Sequence, residues 1–408
     1  MLKGAQLTDQ AAYFWSIDNR PTRHFLTCIG ETLKLPDYSS IRLRSFFTKN
    51  SFRTGYATHG LFPYRGKFHP QMVRGILNAI AVGPGKTVLD PMMGSGTTLI
   101  EASLLDVRSI GFDISPFCVF MTETKASGLS MSLERAQRAL ENLETTFAYF
   151  AQRFGVVDRG DCKIRPLSNE MHQIMDEGAE YVVTGRRFRH RETAETYALL
   201  LLAFLDAMGY AARSQRKALL ECYRGILERY LHCCRKFQGI RSAQGFALGE
   251  VLARQGDARN MDLPAESVDA ILFSPPYSFA IDYMENDAFH LTALGVDGAE
   301  LARNMIGLRG GRNLAAKYAC YIEDMQSVLR ECYRVLCQGS YCVIVVGTNS
   351  NQLGKALKVA ADEVTGLNQI LRSEAEAVGF SFITEIPRSI KGMANTMRDE
   401  SIVFLRKG

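Results

Sequence analysis

Residues 87–98 read Thr-Val-Leu-Asp-Pro-Met-Met-Gly-Ser-Gly-Thr-Thr. A short β-branched and apolar run ends in an acid, turns through two glycines and opens on a helix start. Thr97 to Leu105 continue as an apolar helix, and Ser109-Ile110-Gly111-Phe112 reads as a second strand. Strand, helix, strand is the βαβ order of a parallel sheet. Glycine has no Cβ, so a turn built on Gly94 and Gly96 leaves room for a ligand against the backbone. The spacing is neither the G-x-G-x-x-G of dinucleotide folds nor a P-loop, since no Gly-Lys-Ser/Thr follows; phosphate cradling is not expected. About twenty residues on, Phe112-Asp113-Ile114 places an acid at the end of the next strand, where such folds hold a ribose diol. Taken alone, the loop reads equally well as a tight turn between strand and helix.

Working outward, Met72, Ile76, Ala79 and Ile80 recur at helical spacing, and Gly83-Pro84-Gly85 stops that helix. From 131 to 245 helical periods dominate, as in Leu133–Phe150 and Glu192–Cys234. Strand texture returns with Asp269–Phe273 and Tyr341–Val346, and two strands joined by a turn, Phe380–Glu385 and Ser401–Leu405, close the sheet. The expected organisation is a basic segment over 1–58, an α/β domain over 59–130 and 246–408, and a helical insert over 131–245.

Ser274-Pro275-Pro276-Tyr277 follows the strand 269–273 directly. Two successive prolines fix φ and remove two N–H donors, so this loop is stiff and offers carbonyl acceptors. Tyr277 adds a flat ring beside them. Acceptors next to a stacking face suit an exocyclic amino group on a planar base, although a packed Tyr at a rigid strand exit satisfies the same pattern. Both loops lie at the carboxyl ends of parallel strands and so open on one edge of one sheet.

These two motifs, in this order, resemble those of S-adenosylmethionine-dependent DNA amino-methyltransferases. The resemblance covers about 59–125 and 250–408. It implies a Rossmann-like methyltransferase fold with a mainly parallel seven-stranded sheet, and S-adenosyl-L-methionine as cofactor. His59 to Gln71 resembles the family's segment that holds the methionine end, with Lys67, Phe68 and Pro70 as its candidates. Asp90, Pro91, Met92, Gly94, Ser95, Gly96, Thr97 and Thr98 would form the cofactor loop, and Asp113 and Ile114 would meet the ribose. In Gln255-Gly256-Asp257-Ala258, Asp257 and Ala258 would meet the adenine. Ser274, Pro275, Pro276 and Tyr277 would be the catalytic loop. A Ser at its first position is typical of cytosine-N4 enzymes, whereas Asp or Asn is typical of adenine-N6 enzymes. No Pro-Cys dipeptide occurs, which argues against cytosine C5 chemistry. The rival readings are an adenine-N6 enzyme, an RNA amino-methyltransferase, and a non-catalytic nucleic-acid-binding protein.

The 408 residues are 47% hydrophobic and 22% charged, an ordinary globular balance. The net charge is only +5, but residues 1–80 hold eleven basic and four acidic side chains, so double-stranded DNA, the expected partner, would meet this end most readily. Arg186, Arg187, Arg189 and Arg191 crowd around Phe188 and are candidate DNA contacts; the alternative is a solvated loop in which Arg191 pairs with Glu195 one helical turn on. A cognate restriction endonuclease is a possible further partner implied by the family. The ten cysteines show no Cys-x-x-Cys spacing, so no metal is expected. The apolar stretch Tyr197–Ala212 carries Asp206 and is short for a bilayer. With no leader pattern at the start, the expected compartment is the cytoplasm.

Overall fold

A computed structural model describes residues 16–17, 20–21, 56–64, 66–156, 168–184, 190–214, 218–276, 283–311, 313–389 and 399–408. Tyr277, Arg186, Arg187 and Arg189 lie outside the described residues.

Seven strands form one sheet: β1 (Thr87–Asp90), β2 (Arg108–Asp113), β3 (Val251–Gln255), β4 (Val268–Phe273), β5 (Leu336–Gly347), β6 (Phe380–Ser389) and β7 (Asp399–Lys407), in the order β3-β2-β1-β4-β5-β7-β6. The five strands from β3 to β5 run parallel, and β7 runs antiparallel to both of its neighbours. This is the Rossmann-like methyltransferase arrangement. The chain leaves β1 toward β2 and later returns on its other side as β4, with Val88 opposite Ala270 and Leu89 opposite Ile271. The strand order reverses there, and the crevice outside the carboxyl ends of β1 and β4 is where such sheets take ligands.

The pleat explains the unbroken apolar runs. Ala270, Leu272, Val343 and Val345 face one core with Met72, Ile76 and Leu77 of helix α1 (Pro70–Ala79). Ile271, Phe273, Ile344 and Val346 face the other, against residues of a 22-residue helix, Leu314–Val335. Strands buried on both faces need apolar residues at every position, not at alternate ones. The sheet holds its helices with α2 (Thr97–Ser103) and α3 (Pro116–Gly128) following β1 and β2.

Five helices then separate β2 and α3 from β3: α4 (Glu134–Glu141), α5 (Leu143–Arg153), α6 (Asn169–Thr184), α7 (Arg191–Ser214) and α8 (Leu219–Gln244). They share a core with Leu61, Phe62, Phe117, Phe120 and Met121. By length and composition α7 could cross a membrane, being longer than the apolar run that the sequence displays. Leu199 to Leu205 are nevertheless wholly buried in this protein core. Asp206 is buried among them, held by Arg229 Nη2 at 2.7 Å and by the Tyr230 hydroxyl at 3.0 Å. The same Tyr230 oxygen accepts the Phe62 amide at 2.8 Å, so α7 and α8 brace the segment that leads into α1.

Two strands, one at the sheet's edge and one inside it, differ from what their sequences suggest. β3 spells Val-Leu-Ala-Arg-Gln and is partly exposed throughout, being an edge strand with no buried face to impose alternation. β5 begins five residues before its apolar run, at Leu336.

Candidate active site

The turn after β1 takes its shape from two left-handed glycines, Gly94 at φ +48° and Gly96 at φ +73°. A Cβ on Gly96 would fall 2.4 Å from Thr122 Cγ2 on α3. Three further contacts hold the turn. The Gly94 amide donates to Asp113 Oδ2 at 2.9 Å, Thr122 Oγ1 donates to the Gly94 carbonyl at 3.3 Å, and the wholly buried Lys125 donates from Nζ to the Ser95 carbonyl at 3.1 Å. Asp113 Oδ1 accepts the Ser115 amide at 2.9 Å. The acid ending β2 therefore ties the start of α3 to the glycine turn.

One cavity opens at this edge. Of the sequence-derived candidates, Lys67, Phe68, Asp90, Pro91, Met92, Gly94, Ser95, Thr97, Asp113, Ile114, Asp257 and Ala258 line it, together with Ser274, Pro275 and Pro276. The glycine turn and the Ser-Pro-Pro loop thus share a cavity, from the ends of two paired strands. Gly96, Thr98 and Pro70 are not in the lining: Gly96 caps α2, Thr98 lies in its first turn, and Pro70 starts α1. Arg191 opens α7, its side chain 82% exposed and its Nε 2.7 Å from Glu195 Oε1. It is not part of the cavity and makes the i, i+4 pair.

Burial of the cavity's acids raises their pKa values, because a low-dielectric wall disfavours charge. Asp90 is pushed up to about 7 by burial, with the Met92 amide at 3.0 Å opposing. Asp113 is pushed up to about 6 by burial, against its two amide donors. In another part of the wall Lys67 is lowered to about 8 by burial, with Glu101 opposing. Its Nζ donates to the His59 carbonyl at 2.5 Å. Glu101 lies wholly buried under this wall, where His59 Nε2 at 2.6 Å, Arg74 Nε at 2.7 Å and the Tyr56 hydroxyl converge on it. Burial drives the His59 imidazole down to about 4, outweighing Glu101.

Asp257 stands in the cavity wall with its carboxylate spanned by Arg259, Nε to Oδ1 at 2.9 Å and Nη2 to Oδ2 at 2.6 Å. Arg259 also reaches Asp324 Oδ1 at 2.7 Å and the Asn304 carbonyl at 2.8 Å. Arg309 binds the same Asp324 oxygen. Asn304, Met305 and Ile306 form a further wall, held in place by this ion-pair network. Burial favours the neutral acid, but Arg259 outweighs it and holds Asp257 below the usual carboxylate range.

The sequence reading missed those three residues, as well as Tyr64, Cys118 and Asp287. Asp287 comes from α9 (Tyr283–Ala293), after the Ser-Pro-Pro loop, and burial, then the charge of Asp113, pushes it up to about 7. The Arg two positions after Asp257 was a readable sign of a local ion pair; nothing in Met-Glu-Asn-Asp distinguishes Asp287.

S-adenosylmethionine fits this cavity. Asp90 and Asp113 offer acceptors at adjacent strand ends for ammonium and hydroxyl donors, and Gly94 and Gly256 leave the backbone bare. A Cβ on Gly256 would lie 2.7 Å from the Phe112 ring. Phe68, Met92, Ile114, Ala258 and Ile306 supply apolar surface for a planar purine. Among the described residues no group of three His, Cys, Asp or Glu side chains is placed to hold a metal ion.

Residues 43–123 match the family model described as DNA methylase, of the N6/N4 type. The type II methyltransferase M.MjaII of Methanocaldococcus jannaschii is 35% identical over 97 residues, 24% of this chain and 18% of that protein. The type II methyltransferase M.BsoBI of Geobacillus stearothermophilus is 24% identical over 285 residues, 59% of this chain and 53% of that one. A tRNA (guanine(10)-N2)-dimethyltransferase of Methanothermobacter thermautotrophicus is 43% identical over 53 residues, 13% of this chain and 16% of that protein. The chain thus spans about half, or less, of the length of the curated relatives it matches. The stretch that builds the glycine turn, Asp113 and the Lys67 wall is the one that matches the DNA methylase family model, and it is set in a Rossmann-like, mainly parallel seven-stranded sheet.

Proposed function

We propose that the protein methylates the exocyclic amino group of a base flipped out of duplex DNA, cytosine N4 in particular. The observation that carries this reading is the single cavity lined by both Gly94 and the Ser274-Pro275-Pro276 loop. When bound, S-adenosylmethionine supplies an electrophilic methyl group on a sulfonium. The chain's part is alignment, since displacement at that carbon requires the attacking nitrogen in line with sulfur, and positioning of this kind can lower a barrier by several kcal/mol and up to about 10. The Ser274 side chain and the Pro275 carbonyl would accept the amine's two N–H bonds. That orients its lone pair, otherwise delocalised into the ring, toward the methyl group. Pro276 keeps the loop rigid, and Tyr277 would stack on the extruded base, partly offsetting the few kcal/mol that flipping costs. Asp90, Asp113, Lys67 and the wall around Asp257 would hold the cofactor. Ser274 is the basis for preferring cytosine N4 over adenine N6.

The basic first 58 residues and the 131–245 helices, with Arg186, Arg187 and Arg189, are the candidate DNA-reading parts. An RNA substrate is the second reading, favoured by the match to the tRNA dimethyltransferase. Incubating the protein with labelled S-adenosylmethionine and duplex DNA, tRNA or rRNA separates the two. Label in N4-methylcytosine of the duplex supports the proposal; label in RNA alone overturns it.

A further inference from the structure

Among the described residues, one acid of the cavity is left uncompensated. Asp90 accepts the Met92 amide, and Asp113 accepts the amides of Gly94 and Ser115. Asp287 is 7% exposed and lines the same cavity, yet among the described residues no group donates a hydrogen bond to it or pairs with its charge. Its electrostatic neighbours are unhelpful. Asp113 repels it, and Tyr64 and Cys118 are neutral groups that bond each other at 3.4 Å. Lys67, the cavity's cationic side chain, is directed to the His59 carbonyl. A buried carboxylate without a partner is unfavourable until a cation arrives.

We infer that Asp287 reads the charge of the cofactor, its carboxylate favouring the sulfonium-bearing form over the neutral thioether left after methyl transfer. This rests on the methyltransferase reading above. S-adenosylmethionine carries sulfonium, ammonium and carboxylate, for a net charge of +1; the thioether product retains only the last two and is neutral overall. Shape distinguishes the two by one methyl group. A carboxylate in a low-dielectric wall of the cavity would add a long-range preference that needs no direct contact. The same residue would weaken the hold on spent cofactor and so ease its exchange.

The test is calorimetric titration of the full chain and of Asp287→Asn. The ligands are S-adenosylmethionine, S-adenosylhomocysteine and an analogue bearing a protonated amine in place of the sulfonium. The expected result is that the variant loses about tenfold or more in affinity for both cationic ligands and changes little toward the thioether, narrowing the ratio between them. Equal weakening of all three, or no change in the ratio, overturns the inference while leaving the cofactor reading intact. A wild-type protein that binds none of the three overturns both. Asp287→Ala, which also removes the charge, serves as the second variant should the asparagine form fail to fold.

Discussion

The Gly94 amide and Asp113 Oδ2 meet at 2.9 Å, so the turn that ends one strand is locked onto the acid that ends its neighbour. Asp113→Ala leaves the Gly94 and Ser115 amides without acceptors. Hydrogen bonds to charged groups contribute about 1.5–3 kcal/mol each. The expected outcome is at least a tenfold weaker hold on S-adenosylmethionine, with Asp113→Asn falling between variant and wild type, read by calorimetry.

The two glycines of the turn should respond differently to a methyl group. Gly96→Ala combines a left-handed φ with a clash against Thr122, whereas the nearest atom to a Cβ on Gly94 is Tyr64 Cε1 at 3.5 Å. Gly96→Ala should destabilise the fold by about 1–3 kcal/mol or more and Gly94→Ala by less. Urea unfolding of the two variants gives the order directly; equal midpoints would refute it.

Stability should depend on pH through the cavity acids. Asp90, Asp113 and Asp287 have values near 7, 6 and 7, all above the ordinary carboxylate range. A raised acid favours the folded state while protonated, so this contribution is present at low pH and is lost as pH rises through 6 to 7. A cationic ligand reverses the preference by favouring ionised acids. The rise in melting temperature on adding S-adenosylmethionine should therefore be larger at pH 8 than at pH 5.5. Thermal scans at both values decide it.

Breaking the Arg259 network should loosen one wall of the cavity. Asp324 is 2% exposed at its side chain and is paired with Arg259 and Arg309. Removing one cation from a buried pair costs about 3–5 kcal/mol where no other compensates, and the surviving Arg309 should keep Arg259→Met below that. Affinity for the cofactor should fall together with the urea midpoint. Arg309→Met, which does not touch Asp257, should lower the midpoint with a smaller effect on affinity.

Substitutions in the loop from Ser274 to Tyr277 should separate binding from turnover. Ser274→Ala should keep the cofactor dissociation constant within about threefold while lowering kcat roughly 10²-fold, the scale on which a positioned polar group acts. Tyr277→Ala should behave alike. Replacing Arg186, Arg187 and Arg189 with alanine should lower DNA affinity and flatten its salt dependence; an unchanged salt slope would leave the solvated-loop alternative.

How much of this was legible depended on where each signal lay in the chain. β1, its glycine turn and Asp113 form one contiguous local unit, so their geometry followed from turn chemistry. β4 and β5 were readable because burial on both faces demands unbroken apolar runs. β3 was not, since an edge strand answers to no such demand. Arg259 acts locally on Asp257 but also across a long sequence separation, on Asp324 and Asn304, which no spacing reveals. Asp287 enters the cavity only through the path of the chain after the Ser-Pro-Pro loop. Tyr64 does so because α7 and α8 hold the adjoining Phe62.

That last brace bears on how the molecule could be re-engineered. The Phe62 amide rests on Tyr230, which rests on Asp206, so the helices between the two halves of the sheet also act as scaffolding for the cavity's upstream wall. Exchanging them wholesale for those of a relative would remove a pillar from the cavity along with the helices. A viable chimera would have to carry the Phe62, Asp206 and Tyr230 trio across as a set.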